Sequence, residues 1–253
     1  MGQPHHQRTN HTRGSSRAHQ GNPIWNGASE LSLGREASRV GALAVWLLMK
    51  ISVLGATGAT GKLFTASALE SGHEVTALVR NASKLSDAPS LRVVVGDASD
   101  EKAVASVVEG AEAVVSCLGH VAGDEPIMSK AFRNILSAAG KQVKPPRCVL
   151  ITTIGVGGTS MHVKLVLSAL VAGCKVIADY EEADALVQRS GNVPYVLVRP
   201  GHLTDGPSVG KYTTSLNGFY HIAMSITRAD VAKFLLRAAS SPEFDNKAVQ
   251  LYS

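Results

Sequence analysis

Gly55, Gly58 and Gly61 stand three residues apart and follow directly on the apolar run Ile51-Ser52-Val53-Leu54. Glycine at this spacing permits a tight turn and lets backbone N–H groups approach an anion, while a helix starting there points its positive end at the same spot. With Thr57, Ala59 and Thr60, these glycines form a candidate cradle for a pyrophosphate. A glycine turn can also merely join a strand to a helix. Here an apolar strand precedes it, and Leu63, Ala66 and Leu69 share a helical face within Lys62 to Ser71 after it, which is the setting of a dinucleotide-binding βα unit. Arg80 is the second chemistry-bearing position. It ends the strand-like run from His73 to Val79, where folds that take NAD place an acid for the ribose 2′-hydroxyl, and no acid occurs before Asp87. A guanidinium there, with Lys84 four residues on, suits a 2′-phosphate, so NADP(H) is the expected cofactor.

Such residues need a sheet to hold them. Further apolar runs, Leu91 to Val95, Ala113 to Cys117, Cys148 to Thr153 and Tyr195 to Arg199, read as strands, and Ala248 to Tyr252 reads as the strand that closes the sheet. Helical stretches, Glu101 to Val108, Pro126 to Ala139 and Met161 to Cys174, alternate with them. Continuous apolar strands alternating with helices predict an α/β fold, a Rossmann-like doubly wound parallel sheet, with a small substrate-side region towards the C-terminus. Ligands in such folds bind beyond the carboxyl ends of the strands, so the turns at Asp97, Gly119, Thr153 and Pro200 are expected to converge on one crevice. The stretch Met161 to Ala178 is unusually apolar, is interrupted by Lys164 and Lys175, and is expected to be divided at Gly173. It reads as a core or interface helix, with a substrate-covering lid as the sharper alternative.

Composition bounds the function. The chain has 253 residues, 45% hydrophobic and 18% charged, with a formal net charge of +5. Most of that excess sits in residues 1–48, where Arg8, Arg13, Arg17, Arg35 and Arg39 face only Glu30 and Glu36. The remainder is near neutral, which argues against a nucleic-acid surface. Cys117, Cys148 and Cys174 lack the spacing of a zinc site or a disulfide framework, so a reducing, cytoplasmic setting is expected. Up to Ser38 the chain is polar and reads as disordered, with His5, His6, His11 and His19 solvated and no metal expected. Val40 to Met49 is too short to span a bilayer, and it runs straight into the first strand, which argues against signal cleavage. An organelle leader is the weaker reading. The expected division is a dispensable extension over 1–48 and one nucleotide-binding domain over 49–253.

The segments LGATGATGKLF, ALVRNASKL, VVVGDASD, ITTIG, YVLVRPGHLTDGP and ITRADVAKFLL, in this order from Met49 onward, resemble the atypical short-chain dehydrogenase/reductases with an NmrA-like NAD(P)H-binding domain. Within that family they are most similar to the NADPH-dependent flavin and biliverdin reductases. The resemblance implies that Gly55, Thr57, Gly58, Ala59, Thr60 and Gly61 hold the pyrophosphate, and Arg80 and Lys84 the 2′-phosphate. It further implies Asp97 and Ala98 at the adenine, Leu118 and Gly119 along the ribose, Thr152 and Thr153 beside the nicotinamide, and His202 on a loop facing the substrate. The family's Tyr-x-x-x-Lys dyad is incomplete, because Tyr180 is followed at the fourth position by Asp184. Alcohol dehydrogenation by a lysine-activated tyrosine is therefore disfavoured. Two functions are compatible with these features. One is an NADPH-dependent reductase passing hydride to a small-molecule acceptor that is flat and conjugated, and the other is a non-catalytic NADP(H)-sensing regulator of NmrA type.

Overall fold

The computed structural model describes Gly2 and residues 48–121, 123–157, 173–216 and 224–253. The expected extension lies outside the described residues except for Gly2 and Leu48, as does the apolar stretch from Met161 up to residue 172. Ten strands are described: β1 (Lys50–Leu54), β2 (Glu74–Val79), β3 (Leu91–Val95), β4 (Ala113–Ser116), β5 (Arg147–Ile151), β6 (Tyr195–Pro200), β7 (His202–Thr204), β8 (Thr213–Ser215), β9 (Ser225–Thr227) and β10 (Lys247–Tyr252). The α-helices are α1 (Ala59–Glu70), α2 (Glu101–Val108), α3 (Met128–Gly140), α4 (Gly173–Gln188) and α5 (Arg228–Ser240). Eight strands form one sheet in the order β3-β2-β1-β4-β5-β6-β10-β8, and β7 pairs with β9 beside it. All pairs in the large sheet are parallel except β10 with β8.

The order reverses between β1 and β4. β1 lies between β2 and β4, with Leu54 level with both Leu78 and Ser116. Helices cover both faces, which is why the central strands are apolar throughout rather than alternating. On one face Val53, Val115 and Val149 pack with Phe64 of α1 and Phe234 and Leu235 of α5. On the other, Leu54, Leu150 and Leu197 pack with Val104 of α2, Phe132 and Ile135 of α3, and Ala183 of α4.

Three expectations need correction. α1 starts at Ala59 rather than Lys62, and it buries Thr60, Gly61, Phe64, Thr65 and Ala68. Leu63 and Ala66 face solvent. The close seating of Gly61 on the glycine turn fixes the rotation of the helix, and this outweighs the pull of one exposed leucine. β10 does not close the sheet, because β8 adds an antiparallel edge strand beyond it. The third correction concerns the helical stretch expected to end at Cys174: α4 begins at Gly173, the residue at which a division was expected, and continues to Gln188. Its buried Val176, Ala183 and Val187 carry a helical period that the acidic run around Glu181 obscures. α5, which the sequence reading did not single out as a helix, has a local start signal. Thr227 caps it by accepting from the Asp230 N–H, and Asp230 returns its carboxylate to the Thr227 hydroxyl.

α4 is fastened to β6 by a buried ion pair. Both Nε and Nη2 of Arg199 donate to the Asp184 carboxylate at 2.7–3.1 Å, with the aspartate fully buried and the arginine 5% exposed. Gln188 donates to the same carboxylate. Removing one partner strands a buried charge, which costs about 3–5 kcal/mol. Arg199→Met alone should therefore lower stability by about that amount, whereas the double change Asp184→Leu with Arg199→Met should recover most of the loss in urea melts. Losses that simply add would show that the two side chains are not coupled.

Candidate functional site

The glycine turn is built by close approach. Gly55 has φ +80°, and a Cβ there would lie 2.8 Å from the backbone of Cys117 at the end of β4. A Cβ at Gly61 would collide with the Gly55 carbonyl oxygen. The turn is closed by the Gly58 N–H donating to the Gly55 carbonyl at 3.0 Å, and α1 begins with the Lys62 N–H on the Gly58 carbonyl at 2.9 Å. No side chain caps α1 and no acid stands in its first turn. The first N–H groups of the helix therefore point outward with their positive partial charge uncompensated. Gly58 is exposed and opens onto the cavity described next. A pyrophosphate fits this cradle.

A cavity of about 370 Å³ runs from this turn along the carboxyl ends of β1, β2, β3 and β4. It brings together Gly55, Thr57, Gly58, Arg80, Asp97, Ala98, Leu118, Gly119 and Tyr180 of the expected site. Ala59, Thr60 and Gly61 lie just beyond it in the first turn of α1. Lys84, in a short 3₁₀ turn, is exposed and does not line it. Thr152, Thr153 and His202 do not line it either. Thr152 is buried after β5, with its N–H on the Val198 carbonyl at 2.8 Å and its hydroxyl without a partner among the described residues. Thr153 is half-buried. His202 is exposed on β7, its N–H on the Met224 carbonyl at 2.9 Å. The crevice expected at four strand ends is therefore described here on the β1–β4 side, without Thr153 and Pro200.

Electrostatics distinguish the cavity's acids and phenol. The Ser99 backbone N–H, 2.7 Å from Asp97 Oδ1, together with the Ser99 hydroxyl holds the Asp97 carboxyl below the usual carboxylate range against the opposing effect of burial, and Arg80 and Lys130 add to this. Burial pushes the Tyr180 phenol up, only partly offset by the His120 N–H that its oxygen accepts at 3.1 Å. With Asp184 in place of a lysine, no cation among the described residues counters that rise, and the charge of Asp179 adds to it. Tyr180 thus keeps its proton near neutral pH. The Cys117 thiol, also on the cavity wall, is pushed up to about 12 by burial and so stays protonated near neutral pH.

Sequence reasoning missed Asp179 and Asp124, which also line the cavity. Asp179 accepts the Met128 and Ser129 N–H groups at 2.7 and 3.0 Å and so caps α3 from another helix. No local spacing announces a cap whose partner lies some 50 positions away. Asp124 faces Arg80 from a loop of no regular pattern.

A family profile described as NAD(P)H-binding matches residues 55–242. An uncharacterized chloroplastic protein of Arabidopsis thaliana is 28% identical over 216 residues, which is 80% of this chain and 76% of that protein. Among solved structures, ChuY, an anaerobillin reductase of Escherichia coli O157:H7, is similar with a TM-score of 0.68 at 25% identity, over 80% of this chain and 96% of that one. A short-chain dehydrogenase/reductase of Veillonella parvula, solved in complex with NADP, shares the fold with a TM-score of 0.69 at 18% identity, over 82% of this chain and 95% of that one.

Beyond β6, the loop through residues 205–210 is clamped to α5. The buried Asp230 carboxylate accepts from the Ser208 hydroxyl at 2.6 Å, the Val209 and Gly210 N–H groups at 3.0 Å, and the Thr227 hydroxyl at 2.7 Å. Burial alone would raise this carboxyl, but the hydrogen bonds outweigh it and hold it below the usual range. A depressed carboxyl stabilises the fold above the unfolded value, about 3.9, and loses that contribution as pH falls through the lower folded value. Asp230→Asn should cost about 1–3 kcal/mol at pH 7. The gap between wild type and variant in urea melts should narrow at the acid end, and a gap constant down to the acid limit would show that the charge of Asp230 is immaterial.

Proposed function

This chain belongs to the NAD(P)H-binding family, and we propose that it is an NADPH-dependent reductase whose acceptor is a flat, conjugated molecule of the flavin, quinone or tetrapyrrole class. NADP(H) as cofactor agrees with the family membership, and the choice of the phosphorylated form rests on Arg80 at the cavity mouth. In this reading the N–H groups of Thr57 to Gly61 bind the pyrophosphate, and Arg80, with Lys84 behind it, binds the 2′-phosphate. Asp97 and Ala98 flank the adenine, while Leu118 and Gly119 line the path of the ribose. Thr152 lies on the nicotinamide side of the cofactor, and Thr153 and His202, at and beyond the ends of β5 and β6, position the acceptor.

The observation that carries the acceptor class is the state of Tyr180. It lines the nucleotide cavity, yet the position that would lower its pKa is a buried aspartate held by Arg199. A tyrosine in that setting keeps its proton. When bound, NADPH supplies the hydride; an electrophilic conjugated acceptor takes it and draws its proton from solvent, so positioning suffices. The name of the Escherichia coli relative, a reductase of anaerobillin, supports the same acceptor class. Free Cys117 and Cys148 fit a reducing, cytoplasmic setting.

The test is loss of NADPH absorbance with FMN, menadione and biliverdin offered in turn. Turnover with at least one is expected. Tight NADPH binding without turnover on any of them would overturn the reductase in favour of a cofactor sensor. Tyr180→Phe should keep kcat within about tenfold, a cost near 1.4 kcal/mol. A loss of about three orders of magnitude with fold and NADPH affinity intact would instead make Tyr180 the proton donor.

A further inference from the structure

Arg80 does not face the cavity mouth alone. Its Nη1 lies 3.3 Å from Asp124 Oδ2, with the two side chains 67% and 50% exposed. Asp124 lies between two runs of one segment, Gly119 to Val121 and Glu125 to Ile127, which with it line the cavity. Both ends of this segment are tied to α4, one by the His120 N–H on the Tyr180 oxygen and the other by the Met128 and Ser129 N–H groups on the Asp179 carboxylate. Between those ties Asp124 is set by a turn, its N–H on the Val121 carbonyl at 3.0 Å, and Gly123 beside it has φ +91° with open space around it. The segment is thus anchored so that its middle presents a carboxylate to Arg80, the guanidinium that the described residues place on this wall.

We infer that Asp124 is a specificity-determining residue, whose carboxylate competes with a ribose 2′-phosphate for Arg80 and so holds down the preference for NADPH over NADH. The inference rests on the reading of Arg80 as the 2′-phosphate ligand. The physical ground is charge. A 2′-phosphate approaching Arg80 must displace a carboxylate and then sit beside it, and the neighbouring Glu125, also on the cavity wall, adds to the like charge. NADH brings only a hydroxyl to that place and leaves the pair in being. The contact is single, long and solvated, so a phosphate that can take the guanidinium fork wins the competition at a modest cost.

The experiment is titration of the full chain with NADPH and with NADH, read by cofactor fluorescence, for wild type, Asp124→Asn, Arg80→Ala and the double variant. Asp124→Asn should tighten NADPH by about two- to fivefold, the range of an exposed ion pair, and leave NADH unchanged. In the Arg80→Ala background the gain should shrink. If Arg80→Ala weakens NADPH selectively while Asp124→Asn leaves the NADPH to NADH ratio unaltered, the competition is overturned and the cofactor reading stands. If Arg80→Ala weakens both cofactors alike, the cofactor reading itself fails and the inference falls with it.

Discussion

The backbone of α1 passes so close to the turn at the end of β1 that a Cβ on Gly61 would collide with the Gly55 carbonyl, while a Cβ on Gly55 would lie 2.8 Å from the end of β4. These two contacts fix how α1 sits on the sheet, which of its residues are buried, and where its uncapped N-terminus points. Rotating α1 to bury Leu63 would move Gly61 off the turn. The helix instead buries Phe64 and Ala68 against the face shared with α5. The same constraint leaves a row of N–H donors at the carboxyl end of the sheet, where β1 and β4 part in opposite connection directions. The packing of α1 and the placement of these N–H donors therefore follow from one steric fact.

α4 organises the other wall. Asp179, Tyr180 and Asp184 each tie it to a different element: the start of α3, the turn at His120, and β6 through Arg199. The position that would make Tyr180 a strong acid–base group is used for a structural ion pair instead. Charge in this molecule is thus placed to hold the cavity wall in position, and the phenol is left neutral. A site so arranged favours reactions in which alignment of two ligands matters more than proton transfer by the protein.

The cavity mouth shows the opposite balance. Arg80 and Asp124 are both exposed and meet through one long contact, so solvent and incoming anions can compete there. On the proposed function, the rigid donors at the glycine turn serve the part that every dinucleotide carries, and the adjustable ion pair at the rim serves the part that distinguishes one from another.

Much of this was readable from local pattern. The glycine spacing, the apolar runs of β1 to β6 and the absence of an acid at Arg80 carry their meaning within a few residues, because turn geometry, two-sided burial and charge at a strand end are local demands on residue type. The parallel sheet and the nucleotide side of the cavity followed from them. The strand at the far edge, β8, is only three residues long and offers too little periodicity to announce itself. The buried face of α1 was misread because a helix is turned by its tightest contact, and that contact involves glycines, which carry no hydrophobic signal. The roles of Asp179, Asp184 and Asp124 belong to the tertiary structure alone. Each carboxylate looks like solvated surface in sequence, and what it does depends on N–H groups or a guanidinium that the chain brings to it only by folding.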